Sequence, residues 1–170
     1  TAGGSDPYEL TLTFMRAVQY LPQELTIRVV LGPNFGDTLI KKSINLAQQV
    51  KRTIDLIQSP DSLSLAKEMC SADLALSASG LTKYELAYLG TPALLMSIDE
   101  AHDTANKTFN KLGSCYDAGR LDNAVISRLS EEVRDLLYDV DRRKAYSEAG
   151  RQSVDGLGIK RVLELVDELT

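Results

Sequence analysis

The chain is poor in the residues that most often carry metal or redox chemistry: of 170 residues it has one histidine, two cysteines and no tryptophan. Cys70 and Cys115 lie far apart without a Cys-x-x-Cys neighbour, which excludes a disulfide-stapled scaffold and a thiolate cluster and fits a reducing compartment. No metal or cofactor is expected. No apolar run approaches the roughly 20 residues that span a bilayer, and no basic-then-apolar secretory pattern opens the chain, so no membrane span and a cytoplasmic location are expected. Positive charge is also short: 19 Lys and Arg against 24 Asp and Glu leave a net charge of -5. Such a surface attracts neither nucleic acid nor an anionic membrane. Internal repeats, linkers and low-complexity segments are absent as well.

What is present is an ordinary globular composition, 44% hydrophobic and 25% charged, long enough for one domain over residues 1–170. The opening residues TAGGSDP put a glycine-rich turn where a strand should precede it, so the chain reads as a piece of a longer protein. The spacing then predicts a helix over 8–21, with Leu10, Phe14, Ala17, Val18 and Leu21 on one face, Asp6 as its cap and Pro7 at its first position. A β-branched strand over 25–31 closes at Gly32-Pro33. A helix over 35–51, a strand over 53–57 and a helix over 62–70 follow. Next come a strand over 73–78, a helix over 81–89, a strand over 93–98, a helix over 104–112 and a short strand over 115–118. From Leu121 onward the pattern is helical, ending in a helix with Val162, Leu165, Val166 and Leu169. This alternation predicts an α/β fold, a parallel sheet sandwiched by helices, with ligands at the carboxyl ends of its strands.

Every candidate site residue falls at such an end. Gly3-Gly4-Ser5-Asp6 leads toward a helix, where small residues let backbone N–H groups approach an anion; the alternative is a plain turn capped by Asp6. Ser77-Ala78-Ser79-Gly80-Leu81-Thr82 repeats that logic, and two anion-ready helix starts in one sheet suit a diphosphate. Glu85 lies three residues after Thr82, so it either closes a capping box on the Thr82 N–H or accepts the vicinal hydroxyls of a ligand. His102 and Asp103 could act as general base and orienter, but adjacent residues rarely face each other, and a surface or sugar-contacting loop histidine is preferred. Asp99 and Glu100 are read as a solvated acidic loop, the run Asp139-Val140-Asp141-Arg142-Arg143-Lys144 as a solvated helix boundary, and Tyr84 and Tyr88 as helix packing.

The succession GGSDP, VVLGP with Asn34, SASGLT-KYE-LAYLG-TP, Asn106 with Lys111-Leu112-Gly113, and DGLGIKRV resembles the carboxyl-terminal half of the UDP-sugar hydrolases of pseudaminic acid biosynthesis. It is similar to the related spore-coat polysaccharide proteins and, more distantly, to the muramoylpentapeptide N-acetylglucosaminyltransferases. The most specific elements are Gly80-x-Thr82-x-x-Glu85 with Gly90-x-Pro92, and Asp155-Gly156-x-Gly158-x-x-Arg161. The resemblance implies the Rossmann-like carboxyl-terminal half of a GT-B fold that holds UDP or a UDP-sugar. It implies Gly4 and Ser5 near the diphosphate, and Ser79, Gly80, Leu81 and Thr82 in contact with it. Glu85 would hold the ribose hydroxyls, and main-chain groups at Ser62 and Leu63 the uracil edge. Two positions depart from the family: Ser79 replaces a second glycine, and His102-Asp103 occupies a loop where a sugar-contacting glutamine is usual. The family's catalytic histidine belongs to an amino-terminal half outside this sequence, so no turnover is expected from this chain alone. Two further readings follow: a module carried behind the nucleotidyltransferase of some CMP-sialic acid synthetases, and a regulatory or interaction domain that has lost its ligand.

Overall fold

A computed structural model describes residues 1–122 and 125–169. Its elements run α1 (Leu10–Val18), β1 (Ile27–Leu31), α2 (Asp37–Gln49), β2 (Ile54–Gln58), α3 (Ser62–Cys70), β3 (Ala75–Ala78), α4 (Thr82–Leu89), β4 (Ala93–Ser97), α5 (Glu100–Lys111), β5 (Tyr116–Arg120), α6 (Val125–Tyr138), α7 (Val140–Ser153) and α8 (Gly158–Asp167). All strand pairs are parallel. The α/β class and the alternation agree with the sequence reading, whereas the single sheet does not: β1 pairs with β2, and β3, β4 and β5 form a second sheet.

The central strand β4 is buried throughout and shows how the helices divide. Leu94 and Met96 face a core built with Leu10, Phe14, Ala17 and Val18 of α1 and Val125, Leu129 and Val133 of α6. The alternate residues Ala93 and Leu95 face Met69, Leu86, Ala87 and Phe109 of α3, α4 and α5. Strand side chains alternate between faces, so one strand reports both layers. A third cluster joins Leu12 and Met15 of α1 to Val29 and Leu31 of β1 and Leu39 of α2. Thus α1, α2 and α6 cover one face, and α3, α4 and α5 the other.

Element boundaries moved where side chains outcompeted simple punctuation. Helix α1 starts at Leu10, because Asp6 (φ 45°) and Glu9 (φ 53°) take left-handed backbone and keep Pro7 outside the helix. It ends at Val18, well before Pro22, and the buried Arg52 guanidinium receives the chain beyond it, donating to the carbonyls of Val18, Leu21 and Leu25 at 3.0, 3.1 and 2.7 Å. Helix α5 begins at Glu100 rather than 104, since Asp99 is a true N-cap, its carboxylate accepting the His102 N–H at 2.8 Å. That overturns the acidic-loop reading of Asp99 and Glu100. The helical stretch expected from Leu121 starts instead at Val125; Asn123 and Ala124 lie outside the described residues. The boundary at Asp139 is as expected: it caps α7 by accepting the Arg142 N–H at 2.9 Å.

Candidate functional site

Strand order sets the position of the site. From β1 the chain steps outward to β2, and from β3 it steps the other way through β4 to β5. The reversal lies between β1 and β3, and open α/β sheets form their ligand crevice outside the carboxyl ends of the strands at such a point. Three loops meet there: residues 1–6, Gly32-Pro33-Asn34 after β1, and Ser79-Gly80-Leu81 after β3.

The first two loops are joined backbone to backbone. The Asn34 N–H donates to the Gly4 carbonyl at 2.9 Å. A side chain on Gly32 would place its Cβ 2.3 Å from the Gly3 oxygen and 2.5 Å from the Gly4 oxygen, which only glycine avoids. Gly4 and Ser5 are exposed at the rim. The start of α1 behind them is not open to an anion, however. The buried Asp6 carboxylate accepts the Leu10 and Thr11 N–H groups, each at 2.8 Å, and fills that helix end itself. Of the two anion-ready helix starts expected, this one is taken internally.

The second start is open. Among the described residues the N–H groups of Gly80, Leu81 and Thr82 have no protein acceptor, and α4 has no side-chain cap. A helix amino terminus with free donors carries roughly half a positive charge. Glu85 does not close the capping box: its N–H bonds the Leu81 carbonyl, and its exposed carboxylate has no partner among the described residues. Of its two readings, the local structural one is therefore not realised.

Beneath this turn lies a residue that was not singled out in the sequence. Lys83 is buried, and its ammonium donates to the Ser79 hydroxyl at 3.1 Å and the Ser79 carbonyl at 3.3 Å. The faces of Tyr84 and Phe109 lie 5.2 and 5.3 Å from it. No carboxylate forms an ion pair with it among the described residues, and burial holds its pKa below the usual lysine value, partly opposed by Cys115. A positive charge thus sits directly behind the open helix end. The signal was there in the spacing: Lys83, Leu86, Ala87 and Gly90 fall at i, i+3, i+4 and i+7, the buried stripe of α4.

Ser79 and His102 come together, since the Ser79 hydroxyl donates to the His102 carbonyl at 3.4 Å. The His102-Asp103 pair does not form. Asp103 turns to Lys107 at 2.7 Å, and it is Asp99 whose carboxylate lies 3.6 Å from His102 Nδ1. Both His102 and Asp103 stand on the first turn of α5, not in a loop. One turn on, the buried Asn106 donates to the Ser97 hydroxyl at 2.9 Å and ties α5 to the end of β4. Ser62 and Leu63 open α3 at the end of β2, exposed, with Asp61 capping the Ser64 N–H at 2.8 Å. No printed contact joins them to the residues at the reversal point.

The two punctuation motifs are structural. Gly90 ends α4 with φ 73°, Thr91 donates to the Met69 carbonyl at 2.8 Å, and the Pro92 carbonyl accepts from Ala75 at 2.8 Å, entering β4. In DGLGIKR, Asp155 accepts the Leu157 N–H at 3.0 Å and pairs with Arg161, fixing the start of α8. Tyr84 packs edge-to-face on Phe109 with ring centroids 5.0 Å apart, as its spacing suggested. Among the described residues no group of three or more His, Cys, Asp or Glu could hold a metal ion, and no helix is long and apolar enough to cross a membrane.

This architecture is that of one half of a GT-B fold. MurG of Acinetobacter baumannii superposes with a TM-score of 0.74 at 19% identity, over 99% of this chain and 48% of its own. A Listeria monocytogenes protein assigned as a UDP-N-acetylglucosamine 2-epimerase gives a TM-score of 0.70 at 17% identity, over 94% of this chain and 41% of its own. In sequence, the chain is 28% identical over 170 residues to the spore coat polysaccharide biosynthesis protein SpsG of Bacillus subtilis, covering 98% of this chain and 48% of that protein. The chain therefore spans about half the length of these relatives. No family model matches it.

Proposed function

We propose that this domain binds the nucleotide diphosphate of a UDP-sugar, as part of a glycosyltransferase or nucleotide-sugar hydrolase in surface-polysaccharide biosynthesis. The observation that carries this reading is the open start of α4 at the strand-order reversal: three free N–H groups, a buried ammonium behind them and an unpartnered carboxylate one turn on. Free donors and the Lys83 charge suit a diphosphate, and the Glu85 carboxylate suits the two hydroxyls of a ribose. The likeness to a spore-coat polysaccharide protein supports the pathway class. Gly4 and Ser5 contribute their own N–H groups from across the crevice without a helix dipole behind them. Ser62 and Leu63 are assigned to the base, and His102 and Asp103 to the sugar side. In the reaction the helix end and Lys83 stabilise the negative charge that develops on the departing diphosphate. The attacking group and its base lie in the partner half of the protein.

Calorimetric titration of the 170-residue chain with UDP, CMP and UDP-N-acetylglucosamine tests this. UDP is expected to bind weakly, near the millimolar range, because half the contacts of a two-domain site are missing. Glu85→Ala should weaken it about tenfold, the equivalent of ~1.4 kcal/mol. Absence of any UDP heat at millimolar ligand would overturn the reading; CMP bound more tightly than UDP would favour the cytidylyltransferase-linked module.

A further inference from the structure

Between the two sheets lies a cavity of about 570 Å³, lined by β1 on one side, β3 on the other, α1 over one face and Leu65, Met69 and Leu86 over the opposite face. Both walls are sheet edges. The Leu31 carbonyl bonds Ser59, so alternation turns the backbone groups of Leu31, Val29 and Ile27 toward β2 and those of Arg28 and Val30 toward the cavity. On the other wall Ala75 donates to Pro92 beside β4, so Leu74 and Leu76 present their N–H and C=O groups to the cavity. Facing edges of this kind, roofed and floored by apolar side chains, leave enclosed backbone groups that need partners.

We propose that this cavity receives a parallel β-strand, supplied by the segment of the longer protein that runs directly into Thr1, which closes the two sheets into one of six strands in the order β2, β1, inserted strand, β3, β4, β5. Thr1 fixes the line of entry: its nitrogen donates to the Leu76 carbonyl at 2.9 Å, the bond a strand residue makes there. Residues 1–4 then pass from the end of β3 to the loop beyond the end of β1, where Gly4 accepts from Asn34. The inserted strand therefore runs with both neighbours and emerges into the crevice at the strand-order reversal. Its register follows from the parallel ladder: the residue two before Thr1 donates to the Leu74 carbonyl and accepts the Leu76 N–H, and the residues between turn toward Arg28 and Val30. About five residues match the length of β1. With helices on both faces the segment must be apolar throughout and rich in β-branched residues, as interior parallel strands are. A second copy of this chain does not fit, since the strand must continue covalently into Thr1.

Amide hydrogen exchange decides this. Three proteins are compared: the 170-residue chain, the full-length natural protein, and the 170-residue chain carrying a Lys-Ile-Val-Val-Val extension fused to Thr1. A fourth carries Lys-Pro-Val-Pro-Val instead, whose prolines cannot donate to the ladder. In the full-length protein and the valine fusion the Val30 and Leu76 amides should exchange about 100-fold more slowly than in the 170-residue chain, while the proline fusion stays at the unextended rate. If those two amides exchange equally fast in the full-length protein and in the 170-residue chain, the proposal is overturned, whatever the fusions do. Slowing to the same degree by the proline fusion would also overturn it, because an effect indifferent to donors is not strand pairing.

Discussion

Blocking the Thr1 amine should remove a pH dependence of stability that the 170-residue chain otherwise shows. Burial lowers the pKa of this amine from 8.0 to about 6, against a smaller opposing pull from Asp6. In the unfolded chain the amine holds its proton up to about pH 8, and in the folded chain it releases it near 6. Between those values the unfolded state binds more protons, so stability rises with pH; below about 6 both states are charged and the full burial penalty applies. Two pK units correspond to about 2.7 kcal/mol. With a urea slope of about 2 kcal/mol per molar, the midpoint should rise by roughly 1 M between about pH 5.5 and 8.5. An N-acetylated chain keeps an N–H for Leu76 and has no charge to desolvate, so this component of its midpoint shift should vanish, while the contribution of His102 and the carboxylates remains in both. Urea melts of the two proteins at both pH values give the difference directly. Identical pH dependence would mean that the amine sits in water and that its inward geometry is wrong.

Asp6→Ala leaves the Leu10 and Thr11 N–H groups buried without an acceptor, and should destabilise by about 2–4 kcal/mol in denaturant melts, with Asp6→Asn recovering part of the loss. Gly32→Ala drives a methyl into two backbone oxygens, so residues 1–5 must move; a loss of about 1–3 kcal/mol together with loss of UDP binding is expected from melts and calorimetry. Cys115 is buried and its thiol is pushed up to about 12, chiefly by desolvation, whereas Cys70 is exposed. A thiol reagent should therefore modify one cysteine in the native protein and both in urea; rapid native labelling of Cys115 would contradict its burial.

Much of the fold was legible because the signals were local. The apolar stripe Leu65, Ala66 and Met69 between Asp61 and Ser71 gave α3 its observed limits, and Gly90-x-Pro92 marked the passage from α4 to β4. Where a polar side chain reached across several residues, punctuation misled. Asp6 bonds N–H groups four and five residues on, which displaced the start of α1 from Pro7, and Asp99 capped α5 in what resembled an acidic loop. The break in the sheet has no local signature at all, because it depends on what lies between two strands distant in sequence. Within the site, the spacing found the open turn at Ser79 to Thr82 and the acid after it. It left Lys83 unnoticed, since a charged residue on a buried stripe is seen only when the stripe is drawn through it. The occupation of the α1 end by Asp6 required coordinates.

That occupation shapes the field an approaching anion meets. The protein as a whole carries a charge of -5, so at long range it repels other anions. Inside the crevice only one helix end is exposed, backed by one ammonium, and at physiological salt such charges are felt across a Debye length of about 8 Å. The electrostatics therefore work as a latch rather than a lure: they hold an anion already delivered to the turn, and they do nothing to gather one from solution.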